Sequence, residues 1–246
     1  MIILLLFFGL CTGFVAGFFG VGGGMILVPM LLVAKYSMKE AVSISIIQMV
    51  FSSIYGTFLN YKENKTLLKD GITLGLGGFL GGFLSGFIVV NIDEIYLKYL
   101  FLIIVLAAII KVYITPAQPK QTIQKHSIFS LVLVGFIIGT IAMSIGVGGA
   151  VMLTPILVGY MYYNLKEASS LGLFFVIFSS IAGLLSSIIH NNILLFDGIT
   201  VGIGSLIGVY FGIKIKNFVY IQSYKKYILS LYIFILFLTL YKLYYN

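Results

Sequence analysis

The sequence predicts an all-α polytopic membrane protein with two inverted repeats, each a glycine-broken re-entrant helix pair followed by transmembrane helices. Three observations predict it: the composition, a series of long apolar stretches and an internal duplication. Of 246 residues, 61% are hydrophobic and 9% charged, whereas a soluble domain is roughly 45–50% apolar and about 25% charged. A bilayer core needs roughly 20 apolar residues per crossing helix. Because such windows recur along the chain, a lipid bilayer is the solvent that fits this composition.

Ten apolar stretches, separated by polar residues, are the predicted membrane segments. They are approximately Ile2–Phe19, Met25–Ala34, Ala41–Leu59, Gly71–Val90, Ile95–Ile114, Ser127–Ile145, Ala150–Tyr163, Ala168–Ile189, Gly198–Ile213 and Tyr227–Leu243. The first stretch lacks the basic region and the cleavage site of a secretory signal, so we expect it to remain as the first membrane segment. A polar linker at 115–127 separates a first membrane repeat, 1–114, from a second, 128–246.

The two halves share glycine and charged positions, which indicates duplication. The aligned segments are Gly13–Gly24 with Gly139–Ala150, Pro29 with Pro155, and, after one inserted residue, Lys39-Glu40-Ala41 with Lys166-Glu167-Ala168 and Asp70-Gly71-Ile72-Thr73 with Asp197-Gly198-Ile199-Thr200. Chance similarity between apolar helices would not preserve charges and glycines together.

The lysines bear on the topology. If the two stretches on either side of each glycine break form one crossing, and every other stretch crosses once, there are eight crossings. The 15 lysines then divide eight to seven between the two sides. If the chain turns back at both glycine breaks, there are six full crossings and two re-entrant hairpins, and the lysines divide eleven to four. We favour the second arrangement, with both termini outside, because a positive-inside bias orients membrane proteins. The plain eight-crossing arrangement stays open.

The glycine breaks are the candidate functional site. Backbone groups cannot go unpaired in hydrocarbon, so such a break survives only if it is buried in protein or lines a watery cavity. The first N–H groups of the helix after each break have no partner within the helix, and two such N-termini near the midplane would bind an anion. The predicted substrate-contacting residues are Gly20, Val21, Gly22, Gly23, Gly24, Gly146, Val147, Gly148, Gly149, Ala150, Gln48 and Ser144. The alternative is that the glycines only permit close helix packing, as Gly77 and Gly81 do.

Other polar or helix-breaking residues have simpler roles. Pro29 and Pro155 fall inside the helices after the breaks and are predicted hinges. Asp70 and Asp197 precede glycine-rich helices and are predicted N-caps. Gln48 is the most polar residue well inside an apolar stretch; it either contacts substrate or bridges two helices.

Several function classes are excluded by what the sequence lacks. The histidines, His126 and His190, match no metal-ligand spacing, and Cys11 is the one cysteine. No Ser-His-Asp order, H-E-x-x-H motif or intramembrane carboxylate pair is present, so we expect neither an enzyme, nor a metal site, nor a cofactor. The lysines lie between the apolar segments and not on one basic face, so we expect no nucleic-acid partner.

The motif Gly-x-x-x-Gly-x-x-Gly-Val-Gly-Gly-Gly-Met-Ile-Leu-Val-Pro at Gly13–Pro29, paired with a second Gly-Val-Gly-Gly before Pro155, resembles the TauE/SafE family, also called the toluene sulfonate uptake permease family. The likeness covers nearly the whole chain. It implies transport of small sulfur-containing anions, such as sulfite, sulfonates or sulfoacetate, across a bacterial or archaeal plasma membrane. The sequence departs from the pattern at Met143 and Ala150, which leaves the second break bulkier.

These observations favour a secondary transporter that works by alternating access around a midplane site. An anion-selective channel and a non-transporting membrane scaffold are the alternatives. The sequence does not specify the anion, the direction of transport, a coupling ion such as a proton or sodium, or whether the chain forms a homo-oligomer.

Overall fold

A computed structural model of the chain describes residues 2–61, 68–114, 127–159, 161–190 and 192–244. These residues form ten α-helices and no strand: α1 (Ile2–Phe19), α2 (Gly24–Val33), α3 (Met38–Tyr61), α4 (Leu68–Asn91), α5 (Glu94–Ile114), α6 (Ile128–Ser144), α7 (Ala150–Gly159), α8 (Leu165–Ile189), α9 (Leu195–Phe218) and α10 (Ile221–Tyr244). Within the described part of the chain, seven helices are long and apolar enough to cross a membrane; α2, α6 and α7 are shorter. The all-helical membrane prediction is confirmed.

The predicted segments correspond to helices one for one. The second-repeat segment predicted to end at Tyr163 ends earlier, at Gly159. Most of the predicted linker, residues 115–126, lies outside the described residues; Ser127 caps α6, its side chain accepting from the Ser130 N–H at 3.2 Å.

Helix boundaries repeat between the halves. Helices α3, α4 and α5 begin 127 residues before α8, α9 and α10, and α1 and α2 begin 126 residues before α6 and α7. The one-residue difference falls between α7 and α8, where the alignment requires an insertion. Each helix of the first half therefore has a counterpart in the second.

Helices of one half pack mainly on helices of the other. The most extensive pairs are α1 with α9, α4 with α6, α4 with α8, and α3 with α9. Glycines permit the close approach: Gly9 lies against Val201 and Gly17 against Val209, so α1 and α9 run parallel. Helix α4 runs parallel to both α6 and α8.

Helices α3 and α8 cross at the centre of the molecule. Leu173 lies against Gly56, and Ile46 lies against Gly183, so these two helices are antiparallel. Helix α3 runs parallel to α9, since Gly198 lies against Ile47. The midpoints of α3 and α8 therefore meet, and both glycine breaks lie against this crossing.

The N-cap prediction for Asp197 is wrong. Helix α9 begins at Leu195 after the N-cap residue Leu194, whose N–H is held by Ser43 Oγ at 2.8 Å, so Asp197 is third in the helix. Its Oδ2 accepts a hydrogen bond from the Tyr36 hydroxyl at 2.8 Å. Burial and this carboxylate raise the pKa of Tyr36 to about 12, so the phenol is the donor at neutral pH. Asp70 is likewise third in α4, and its side chain lies outside the described residues.

Candidate functional site

Both glycine breaks are non-helical, as predicted. Three glycines in each adopt left-handed backbone conformations, which only glycine adopts without strain. Their φ angles are 73° at Gly20, 79° at Gly22, 83° at Gly23, 70° at Gly146, 86° at Gly148 and 73° at Gly149. The same three positions are left-handed in each half, so the two breaks have the same local shape.

The structure brings the two breaks together at the α3–α8 crossing. Gly22 and Gly148 both lie against Met49 of α3 and Val176 of α8. Gly24, the first residue of α2, lies against the carbonyl group of Gly146. The two breaks thus share one buried region between the halves.

The carbonyl groups of the breaks are partly occupied. Ser45 Oγ donates to the Gly146 carbonyl oxygen at 2.6 Å, and Ser52 Oγ donates to that of Gly22 at 3.1 Å. Both serines belong to α3, which lies between the breaks. Occupying these acceptors lowers the negative potential of the region.

The amide groups of the breaks are left largely unpaired. Among the described residues, no acceptor is found for the N–H groups of Val21, Gly22, Gly23, Gly24, Met25, Gly148, Gly149 and Val151. Four N–H groups of the breaks do have backbone carbonyl partners; they belong to Gly20, Gly146, Val147 and Ala150. A surplus of donors over acceptors favours an anion.

Gln48 faces the first break. Its side chain is 0% exposed, and neither Nε2 nor Oε1 has a hydrogen-bond partner among the described residues. A Cβ atom built on Gly23 would lie 2.8 Å from Nε2 and 3.0 Å from Oε1, so the amide is directed at Gly23. An unsatisfied buried polar group costs about 1–3 kcal/mol, so a ligand that hydrogen-bonds to this amide would offset that cost.

The second break has an apolar neighbour at the corresponding position. The ring of Phe175, the counterpart of Gln48, lies against Gly149. Ser144 ends α6 beside this break, with its hydroxyl donating to the Thr140 carbonyl oxygen at 2.8 Å. Thr154, on α7, is buried, and its Oγ1 has no partner among the described residues.

The methyl group of Ala150 was expected to make the second break bulkier, but it does not crowd the break. Gly172 lies against the Ala150 Cβ and leaves room for it. In the first half the larger residue is instead Ser45, the counterpart of Gly172, and it faces Gly24. Pro29 and Pro155 are both buried and each is the sixth residue of its helix.

Metal-ligating side chains do not cluster at this site within the described residues. In the part of the chain that the structure describes, no group of three or more His, Cys, Asp or Glu residues could hold a metal ion. What the site offers is backbone amides and one carboxamide, inside a bundle of membrane-spanning helices. Such an arrangement can bind a solute.

A helical bundle with broken helices that meet at its centre is the architecture of a membrane transporter. The family model described as "Sulfite exporter TauE/SafE" matches residues 5–240. The chain therefore belongs to the TauE/SafE family, which is a transporter family and not a family of enzymes.

Three relatives carry the description "Probable membrane transporter protein". One from Methanocaldococcus jannaschii is 30% identical over 196 residues, covering 77% of this chain and 73% of the relative. YdhB of Bacillus subtilis is 22% identical over 223 residues, covering 88% and 90%. One from Haemophilus influenzae is 25% identical over 198 residues, covering 77% and 75%. No solved structure matches the chain significantly.

Proposed function

We propose that the chain is a secondary transporter of small anions, which it binds between the two glycine breaks near the middle of the membrane. The observation that carries the proposal is the buried, unpaired amide of Gln48, directed at Gly23 beside a run of unpaired backbone N–H groups. Left empty, these donors would be costly in a membrane interior. An anion with several acceptor oxygens would satisfy them.

The directions of the helices support an inverted repeat. Helices α1, α3 and α9 run one way, and their counterparts α6, α8 and α4 run the other. Tyr36, which follows α2, bonds to Asp197 in the first turn of α9, and α1 begins beside that same turn. The chain thus returns after α2 to the side on which α1 started, as a re-entrant hairpin requires. This arrangement gives the eleven-to-four division of lysines and puts both termini outside.

Within this arrangement the two halves would rock around the shared site. We assign substrate contact to the two breaks, Gly20–Gly24 and Gly146–Ala150, and to Gln48, with Ser144 flanking the second break. Pro29 and Pro155 would act as hinges. The bacterial and archaeal relatives favour the plasma membrane as its location.

A sulfur-containing anion is the proposed substrate, of the sulfite, sulfonate or sulfoacetate type. Support for the sulfur atom comes from the family description, and support for the negative charge comes from the donors of the breaks.

The proposal is tested with purified protein in liposomes, loaded with labelled sulfite, sulfate or methanesulfonate, with and without a proton gradient. We expect saturable uptake and trans-stimulation by the wild type. In the Gln48→Leu variant the Kd should rise roughly 10- to 100-fold, because a hydrogen bond to a charged group contributes about 1.5–3 kcal/mol. Gln48→Glu should bind still less, because its carboxylate repels an anion.

The matched control is Thr239→Val, which removes a buried hydroxyl from α10 whose partner is its own helix; its Kd should stay unchanged. Gln48→Leu should not lower the melting temperature, since it removes unpaired buried groups. Conductive flux without saturation would indicate a channel. The absence of any anion movement by the wild type would leave a membrane scaffold and contradict the proposal.

A further inference from the structure

A buried lysine lies near the C-terminal end of α9. Lys216 is 2% exposed, and among the side chains that the structure describes it is the only charged one in the buried class. Its Nζ donates to Ser170 Oγ at 2.9 Å. The Ser170 hydroxyl donates in turn to the Lys166 carbonyl oxygen at 3.2 Å. A cation is therefore held inside the protein at the lysine-rich end of the bundle.

This lysine is connected to the first glycine break through the residue next to Ser170. Ser169 is fully buried, and its backbone and hydroxyl lie directly against Gly20. The Tyr224 hydroxyl lies 3.0 Å from Ser169 Oγ and donates to the Phe18 carbonyl oxygen at 2.6 Å. A run of buried polar groups thus leads from Lys216 to the start of the first break.

The other half keeps the serine hydroxyl, as Ser43 at the position of Ser170, but it lacks the other three polar groups. The positions 127 residues earlier are Val89 for Lys216, Val42 for Ser169 and Leu97 for Tyr224, and all three are buried apolar residues. The fold packs equally well with an apolar set at these places. Burying a charge is costly. A buried lysine that is present in only one half therefore indicates a role other than packing.

A second unpaired group lies at the same depth. Asn60 is nine-tenths buried, and its Nδ2 has no partner among the described residues. Gly56 lies against Leu173 of α8 and Val209 of α9. Helix α3 is antiparallel to α8 and parallel to α9, so one turn further on Asn60 reaches the depth of Ser169. The lysine-rich half of the bundle therefore has an unpaired donor and a cation at neighbouring levels.

We propose that Lys216 and Ser170 form a second anion-binding site, on the lysine-rich side of the membrane, where a small oxyanion is captured before it enters the midplane site. This inference rests on the proposed function. Because the opposite side has valine at the position of Lys216, the transporter binds its substrate more tightly from the lysine-rich side than from the other.

The test compares the half-saturation concentration for sulfite, sulfate and methanesulfonate at each face, in right-side-out and inverted membrane vesicles. Lys216→Gln should raise it about tenfold at the lysine-rich face, as expected for one hydrogen-bonded charge, and leave the opposite face unchanged. Lys216→Arg should keep most of the affinity. Ser170→Ala should give a smaller rise at the same face.

The matched control is Lys214→Gln, an exposed lysine two residues earlier on α9, which should change neither face. If the wild type carries none of the anions, the proposed function fails. If it carries one, and both Lys216→Gln and Ser170→Ala alter the two faces equally or alter only the melting temperature, Lys216 is a structural cation and the inference is overturned. Loss of folding in Lys216→Gln leaves the decision to Ser170→Ala and Lys216→Arg.

Discussion

At the scale of single residues, two pairs of small residues are exchanged between the halves. Gly24 and Ser45 correspond to Ala150 and Gly172. In the first half Gly24 leaves room for Ser45 beside the carbonyl group of Gly146. In the second half Gly172 leaves room for Ala150 beside the carbonyl group of Gly20. The exchange keeps the packed volume similar in both halves. Only the first half gains a hydroxyl, which bonds to the Gly146 carbonyl oxygen.

This exchange predicts that substitutions at the pair are not additive. Gly24→Ala should lower the melting temperature, because its Cβ would lie 2.5 Å from Ser45 Oγ and would overlap the Gly146 carbonyl oxygen. Adding Ser45→Gly should restore part of the loss, with a coupling energy of roughly 0.5–3 kcal/mol. Thermal unfolding in detergent measures this.

The control for that cycle is Gly183→Ala in the middle of α8. A Cβ atom there would have its nearest neighbour, Met143 Sδ, at an ordinary 3.4 Å. We expect no loss of stability from it, since alanine favours a helix over glycine by about 1 kcal/mol. Simple additivity of Gly24→Ala and Ser45→Gly would contradict the idea that the two residues compete for one space.

At the scale of the helices, α2 and α7 are ten residues each. Ten residues span about 15 Å, which is half of a bilayer core of about 30 Å. Each helix thus has the length needed to join a membrane surface to the midplane. Its N-terminus lies at the glycine breaks, and its proline leaves one carbonyl of the first turn without an intrahelical partner.

The prolines should therefore affect motion more than binding. Pro29→Ala adds an N–H that can bond to the Met25 carbonyl oxygen, and Pro155→Ala does the same with that of Val151. Both variants straighten a short helix, so we expect a several-fold lower transport rate with an unchanged Kd for the anion. Single-turnover exchange and equilibrium binding, measured on the same preparation, separate the two. A weaker Kd at an unchanged rate would show that the prolines shape the site.

The starts of α3 and α8 carry reciprocal helix caps. Glu40 accepts from the Ser37 N–H at 2.8 Å, and Ser37 Oγ accepts from the Glu40 N–H at 3.2 Å. Asn164 and Glu167 form the same reciprocal cap on α8. A capping residue followed three positions later by glutamate is visible in the sequence. Glu40 and Glu167 are therefore parts of helix caps.

At the scale of the whole molecule, neither half is packed as an independent unit. Helix α1 has its main contacts with α9, and α4 has its main contacts with α6 and α8. The interface between the halves therefore contains the closely packed glycines of α1, α4 and α9 and both breaks. A relative movement of the halves must change the surroundings of the breaks, which is what alternating access around this site requires.

The re-entrant arrangement makes a direct prediction about topology. Replacing Cys11 by alanine gives a background without cysteine, into which one cysteine is introduced at Lys35 or at Lys166. We expect a membrane-impermeant maleimide to label position 35 in intact cells and position 166 only after permeabilisation. The plain eight-crossing arrangement puts both positions on the same side, so equal labelling of the two would contradict the hairpins. Position 98, expected on the side of Lys35, is the internal control.

The sequence by itself determined the membrane environment, the ten helical segments and the places where the helices break, and it predicts the duplication. These follow from local composition and from the backbone freedom of glycine, which act within a few residues.

Only the tertiary structure decided which side chains face the breaks. The direction of the Gln48 amide towards Gly23, the use of Ser45 and Ser52 to occupy carbonyl groups, the burial of Lys216 and the true start of α9 before Asp197 all depend on contacts between helices distant in sequence. Apolar helices in lipid can pack through several faces, because hydrophobicity does not select among them. The choice is made by the fit of small residues and by the pairing of polar groups in the assembled bundle.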